Sequence, residues 1–340
     1  MWGDMPGKVG LLLITSAVIL RPSPSPIKLD DSVPKLIVKP SRFMDSFNIP
    51  WPDLIGDDVE LDEAVMQALP PGCRVLNTRG CQALWNHTLR IEVELPGGTE
   101  LVFFKKGATG PDGLDRIKSS FESETALHSF IPEYVPKPVA HGSYRLHPNR
   151  HFYIAEYIEM DDMLPYPEAW AEAISALHRR SMGKSPEGKF GFHVNTYFGT
   201  ISQNNAWTNS WENLWAQIFR SVCVTEEERC GPHPDLARLK TLYHELVIPR
   251  YLRPLESDGR VIHPTLLHND AWPGNAKPRS DSLELCLFGS SAVWGHNEGA
   301  SEPQWDFNAR IEVYATLCFA LHSAQYWHEP KRRKLDPGTQ

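Results

Sequence analysis

Two polar residues five positions apart carry the clearest chemical signal in this chain. Asp270 and Asn275 lie in the segment Leu266-Leu-His-Asn-Asp-Ala-Trp-Pro-Gly-Asn-Ala-Lys277. Pro273-Gly274 supplies a tight turn between them. A loop of that length lets both side chains face one point. The Asp270 carboxylate could then orient an attacking hydroxyl and accept its proton. The Asn275 amide oxygen could take one position on a Mg²⁺ ion, as could Asp270 itself. The chemistry implied is phosphoryl transfer. From these residues alone, the competing reading is a polar surface loop with a capping Asp.

Such a loop must be held by a folded scaffold, and the chain has the means to build one. It has 340 residues, 41% of them apolar and 10% aromatic, with 11 Trp. That composition buries a sizeable core and excludes a disordered chain. Leu89-Arg-Ile-Glu-Val-Glu-Leu95 alternates with period two and reads as a strand. Pro96-Gly97-Gly98-Thr99 makes a turn, and Leu101 to Lys105 completes a hairpin. The spacing of Ile117, Phe121, Leu127 and Phe130 predicts a helix over 114–130. His151 to Ile158 reads as a central strand. Helical spacing then dominates, over 170–179, 210–222, 234–246 and 311–326. The expected fold class is α+β, a small antiparallel sheet with one helix followed by a larger helical part. Clefts between such parts often hold ligands.

Charge and cysteine usage exclude several functions. The net charge is -8 and the pI about 6.0, which argues against a nucleic-acid binder. Six cysteines at 73, 81, 223, 230, 286 and 318 include no C-x-x-C pair. Zinc and thioredoxin-like sites therefore have no support. Scattered thiols of this kind suit a reducing compartment, so the expected location is cytoplasmic. Val9 to Leu20 is an apolar run of 12 residues after Lys8. It falls short of the roughly 20 residues a membrane span needs. It could pass for a signal-peptide core, yet no small-x-small cleavage site follows. The expected organisation is a Pro-rich leader over 1–60, a nucleotide-binding N-lobe over 61–160, a C-lobe over 161–326 and a basic tail over 327–340.

The loop itself, His268-Asn269-Asp270-Ala271-Trp272-Pro273-Gly274-Asn275, resembles the H-G-D-L-W-x-G-N loop of the fructosamine kinase family. That family sits within the wider aminoglycoside-phosphotransferase and protein-kinase-like group. Further matches follow in order. Ser185-Pro-Glu-Gly-Lys-Phe-Gly-Phe-His193 is one, and Thr196, Gly199, Gln203, Asn205, Trp207 and Trp211 continue it. Leu177-His178 matches an L-H pair, and Val293-Trp-Gly-His-Asn-Glu298 resembles Y-G-H-N-E. The resemblance runs from residue 75 to about 326.

It implies a two-lobed kinase fold, ATP and Mg²⁺ as cofactors, and ketosamine-modified proteins or small ketosamines as substrates. It also implies a monomer, with no nucleic-acid or membrane partner. Lys105, in the place of the family's F-x-K, is expected to pair with nucleotide phosphates, with adjacent Lys106 as its competitor. Glu124 is expected to form an ion pair with that lysine, with Glu122 as competitor. Glu156, Tyr157 and Ile158 match the hinge that contacts adenine, and Gly80 opens the loop over the phosphates, which runs to Thr88.

Two departures bear on activity. The family's apolar-F-D-x-[SA] reads Cys286-Leu-Phe-Gly-Ser-Ser-Ala292 here, so Gly289 replaces a metal-binding Asp. The chain also passes directly from Glu298-Gly299-Ala300 to Ser301-Glu-Pro303, where the family has a helical stretch. A missing helix would leave apolar surface exposed. The resemblance thus allows two functions, an active ketosamine kinase or a catalytically impaired relative that binds nucleotide or a partner.

Overall fold

The computed structural model describes residues 61–81, 87–298 and 306–325. The proposed leader and basic tail therefore lie outside the described residues, as do the centre of the phosphate loop and the join at 299–305.

The sheet-bearing part comes first. Its elements are α1 (Glu63–Ala68), β1 (Arg74–Cys81), β2 (His87–Glu94), β3 (Glu100–Thr109), α2 (Gly113–Phe130), β4 (Pro138–Ser143) and β5 (Arg150–Glu156). The five strands form one antiparallel sheet in the order β1-β2-β3-β5-β4. The hairpin β2-β3 and the interior position of β5 agree with the sequence patterns; β1 and β4, at the two edges, carried no comparable pattern. Strand alternation gives the sheet two apolar faces. On one, Leu89, Ile91, Val93, Phe103, Phe152 and Ile154 pack with Val65 and Leu69 from the α1 side. On the other, Ala108, Tyr153 and Ala155 pack against Ile117 of α2.

Helices follow: α3 (Pro167–Ser181), the short pair β6 (Thr196–Phe198) and β7 (Ile201–Gln203), α4 (Trp211–Cys230), α5 (Pro234–Leu242) and α6 (Ile248–Leu252). A π-helical turn, Tyr243–Val247, joins α5 to α6. Proline at the first turn starts α3, where its missing N–H is no loss. Ser210 caps α4 by accepting from the Asn213 N–H at 3.2 Å, and Gly231, at φ +85°, ends it. The last elements are β8 (Thr265–Leu267), β9 (Ala276–Pro278), β10 (Leu285–Leu287), β11 (Val293–Gly295) and α7 (Phe307–Gln325).

The core of this part gathers residues of α4, α6 and α7, including Trp211, Trp215, Phe219, Leu252 and Leu317. A second cluster, with Leu127, Trp170, Leu177, Leu266, Leu287 and Trp294, joins α2 and α3 to the short strands. α5 contributes no buried residue, and Leu236 and Leu239 on it are exposed. Phe319 on α7 is 68% exposed.

Candidate active site

Two short ladders clamp the loop that carries Asp270 and Asn275. β8 pairs with β11 before it, and β9 pairs with β10 after it. Between them the backbone is fixed by its own hydrogen bonds. The Ser291 N–H donates to the His268 carbonyl at 3.0 Å, and the Phe288 N–H donates to the Asn275 carbonyl at 3.0 Å. The loop 268–275 is thus stitched at both ends to the turn 288–292.

Each loop residue has a physical reason to be what it is. His268 is 2% exposed, and burial pushes its pKa down to about 4, so the ring is neutral. Its Nδ1 accepts the Asp270 N–H at 3.3 Å, which leaves the proton on Nε2 to donate to the Phe288 carbonyl at 3.1 Å. The imidazole is therefore a brace. Asn269 sits at φ +61°, a conformation open to Gly and tolerated by Asn. Its amide donates to Gln203 Oε1 at 3.0 Å and to the Ser291 carbonyl at 3.2 Å. A Cβ on Gly274 would run into the Trp272 indole, so only glycine lets that ring fold over the turn.

Asp270 and Asn275 meet as their spacing predicts. Asn275 Nδ2 donates to Asp270 Oδ2 at 2.9 Å, to the Asp270 carbonyl at 2.9 Å and to the Gly289 carbonyl at 3.2 Å. Asp270 keeps a path to solvent, yet it is crowded by protein. Desolvation pushes its pKa up to about 8, against the opposing pull of the Asn275 bond and of Lys106. A carboxyl poised there can take a proton from a hydroxyl near neutral pH.

The lysine beside it is not the one the sequence pattern picked. Lys105 lies on the same face of β3 as Phe103, toward α1, because side chains alternate along a strand. Lys106 takes the opposite face, toward α2. Its ammonium donates to Ser120 Oγ of α2 at 3.0 Å, and both Glu124 and Asp270 feel its charge. Burial pushes its pKa down to about 8. Of the two, Lys106 is the lysine on the Asp270 side, and nothing in the alternation of types could have told two adjacent lysines apart.

Glu124 does face this centre. It is 4% exposed, and its Oε1 accepts the Ser290 N–H at 3.1 Å. Its Oε2 is buried without a hydrogen-bond partner. Burial raises its pKa, and the Ser290 amide and Lys106 oppose that rise. Glu122 instead turns outward to His193, 2.9 Å away. Neighbouring Ser123 Oγ accepts the Ala292 N–H at 3.1 Å, so α2 is tied to the turn 288–292 at two points.

Gly289 occupies a left-handed position, φ +67°. A Cβ there would lie 2.7 Å from Asn275 Oδ1. Asn275 thus fills the direction a side chain at 289 would take. Among the described residues no group of three or more His, Cys, Asp or Glu is placed to hold a metal ion.

The expected hinge is where β5 leaves the sheet. The Tyr157 N–H donates to the Val102 carbonyl at 3.2 Å, and the Asp161 N–H to the Pro278 carbonyl at 3.0 Å. Residues 156–159 line one side of a recess of about 490 Å³, and residues 279–281 line the other. No sequence pattern pointed to Arg279, Ser280 and Asp281 there. The lining reaches neither Lys106 nor Asp270. Gly80 lies on β1 opposite Leu89, and nothing among the described residues brings it to Asp270.

Comparison with known proteins places this geometry in a family. Two rice proteins, from Oryza sativa subsp. indica and subsp. japonica, are named protein-ribulosamine 3-kinase, chloroplastic. Each is 28% identical over 242 residues, covering 68% of this chain and 64% of that protein. The chain therefore spans just under two thirds of the length of these relatives. Among solved structures, a candidate fructosamine-3-kinase from Thermobifida fusca superposes with a TM-score of 0.59 at 17% identity, covering 81% of this chain and 96% of that one. A second, from Haemophilus somnus, gives 0.53 at 15% identity, covering 75% and 86%. These two show a shared fold. The fructosamine kinase model matches residues 92–300, more than half of the sequence, and the chain belongs to the fructosamine kinase family.

Proposed function

We propose that this chain is an ATP-dependent ketosamine kinase that works slowly. In this reading ATP lies in a cleft between a sheet-bearing lobe, 61–160, and a helical lobe, 161–326. The γ-phosphoryl group passes to the 3-hydroxyl of a ribulosamine or fructosamine carried on a protein lysine, or of a small ketosamine. The connector 156–158 holds adenine, and Lys106 pairs with the phosphates. Glu124 positions that ammonium, and Asp270 orients the sugar hydroxyl and accepts its proton. The single observation that most supports this is the meeting of Lys106, Asp270 and Asn275 around one point, with Glu124 buried behind it.

The donor set is lean for Mg²⁺. Asn275 Oδ1 and an Asp270 oxygen can hold an ion carried in on nucleotide phosphates, and water and phosphate would supply the rest of its roughly six oxygens. Such an ion would neutralise charge on the transferring group. A carboxylate at 289 would have fixed it more firmly.

That leanness favours a second reading, a catalytically impaired relative that binds nucleotide or a partner. The observation behind it is Gly289, with Asn275 filling its side-chain direction. One assay separates the two. Phosphate transfer from ATP to a ribulosamine substrate is measured for the chain and for Asp270→Asn. The kinase reading expects slow turnover that falls by about 10² or more in the variant. Equal rates would remove Asp270 from the chemistry. No transfer by either, with nucleotide still bound, would leave the impaired relative standing.

A further inference from the structure

Lys105 is left without a role at the nucleotide side, and its surroundings suggest another. It is 3% exposed and faces the α1 side of the sheet. Its ammonium lies 5.2 Å from the centre of the Tyr144 ring, a cation–π contact. Among the described residues it makes no hydrogen bond and no ion pair. A cation taken out of water without an acceptor is costly, and proteins ordinarily pair such a charge.

The strand register brings two more basic groups to the same face. Lys105 stands opposite Leu89 on β2 and Ile154 on β5. His87 stands opposite Gly107, and Arg150 opposite Thr109. Positions 105, 107 and 109 of β3 share one face, so their cross-strand partners share it too. The charges agree with this placement. Lys105 feels Arg150, and His87 feels both Lys105 and Arg150. Among the described residues no carboxylate acts on Lys105 or His87. Asp62, on this side of the sheet, acts on Tyr144, and its oxygens are committed to the N–H groups of Ala64, Arg145 and Leu146.

We propose that Lys105, Arg150 and His87 form an anion site for a phosphate group on the face of the sheet opposite Glu124 and Lys106. Three donors from three adjacent strands, one of them buried and unmatched, form a cradle for the oxygens of a phosphate monoester or of inorganic phosphate. Lysine and arginine on a rigid sheet give charge-assisted bonds to such oxygens. The site is separate from the proposed nucleotide site, because strand alternation sends Lys106 through to the other face. Its ligand would act as an effector or as an anchor, away from the phosphoryl transfer.

The test is titration of the whole chain with inorganic phosphate, and in parallel with a sugar phosphate, followed by calorimetry and by melting temperature. Lys105→Met keeps the length of the side chain and removes its charge. Phosphate is expected to raise the melting temperature of the parent and of Lys106→Met alike. In Lys105→Met its affinity should fall by at least about tenfold, the worth of one charge-assisted hydrogen bond. Arg150→Met should weaken phosphate in the same direction, which guards against a repacking effect peculiar to Lys105. Tighter binding of the sugar phosphate than of inorganic phosphate would identify a monoester as the ligand, and equal binding would identify the free ion. Unchanged phosphate affinity in both variants overturns the site. So does loss of binding in Lys106→Met with retention in Lys105→Met, since that would place the anion in the cleft.

Discussion

Asp270 carries a cost in stability that its proposed chemistry requires. Its pKa in the fold is about 8, against 3.8 for the free side chain. A raised carboxyl pKa means that the folded state holds the proton that the unfolded state gives up. Stability is therefore lost as pH rises from about 4 to about 8, and the loss levels off above that. Asn at this position cannot titrate, yet its amide oxygen can still accept the Asn275 bond. Asp270→Asn should melt higher than the parent, by several degrees at pH 8 and by little at pH 4. Melting curves across that range check the sign, and a gap that shrinks as pH rises would contradict the burial argument. Gly289→Asp tests the same centre from the other side. Asp is among the residues that tolerate a positive φ, so the backbone cost is about 1 kcal/mol. Asn275 would have to swing aside, freeing its Oδ1 and placing two carboxylates on one ion. Phosphate transfer should rise by about 10²-fold, the worth of one well-placed electrostatic group. An unchanged rate together with a normal melt would show that the missing carboxylate does not limit turnover.

Among the elements, β3 decides which lysine faces Asp270 and the proposed nucleotide site. Lys106→Met should weaken adenine-nucleotide binding by about tenfold or more, while Lys105→Met should leave it within about twofold. A nucleotide titration in the reverse order would shift the strand register by one. The same strand marks what the sequence could and could not tell. Period-two alternation over 89–95 and helical spacing over 114–130 gave β2 and α2 nearly to their ends, because one buried face imposes one period. The Asp270–Asn275 loop was legible because five residues and a Pro-Gly turn leave few ways to meet. Glu124 over Glu122 followed a motif, and burial explains it. The two adjacent lysines stayed ambiguous, because β3 is covered on both faces and its composition does not alternate there. β1 and β4 went unread because edge strands bury little and carry weak patterns. Residues 279–281 were invisible because they reach the connector through long-range pairing, the bridge between Met160 and Arg279 and the bond from the Ser280 N–H to the Glu159 carbonyl.

At the level of the molecule, the last helix is held by charge as well as by apolar packing. Arg310 on α7 is fully buried, and its Nε donates to Glu298 Oε1 at 2.6 Å. Tyr314 donates to Glu298 Oε2 at 2.8 Å, and Trp211 of α4 donates to Tyr314 at 3.1 Å. Glu298 thus ties the end of the β11 segment to α7 and, through Tyr314, to α4. These contacts join residues on either side of 299–305. α7 packs beside α4, with Phe319 outward and Val313, Leu317 and Leu321 inward. A buried pair of this kind adds little net stability over an apolar substitute, but breaking it leaves a charge with no solvent. Glu298→Gln should therefore cost about 3–5 kcal/mol, because Arg310 keeps its charge at any pH the protein survives. Denaturant unfolding gives the size of the loss. The double variant Glu298→Gln with Arg310→Met separates the causes. If the loss of Arg310's buried carboxylate partner is responsible, the second change recovers most of the stability; if the lost packing at 298 is responsible, the double variant is weaker still.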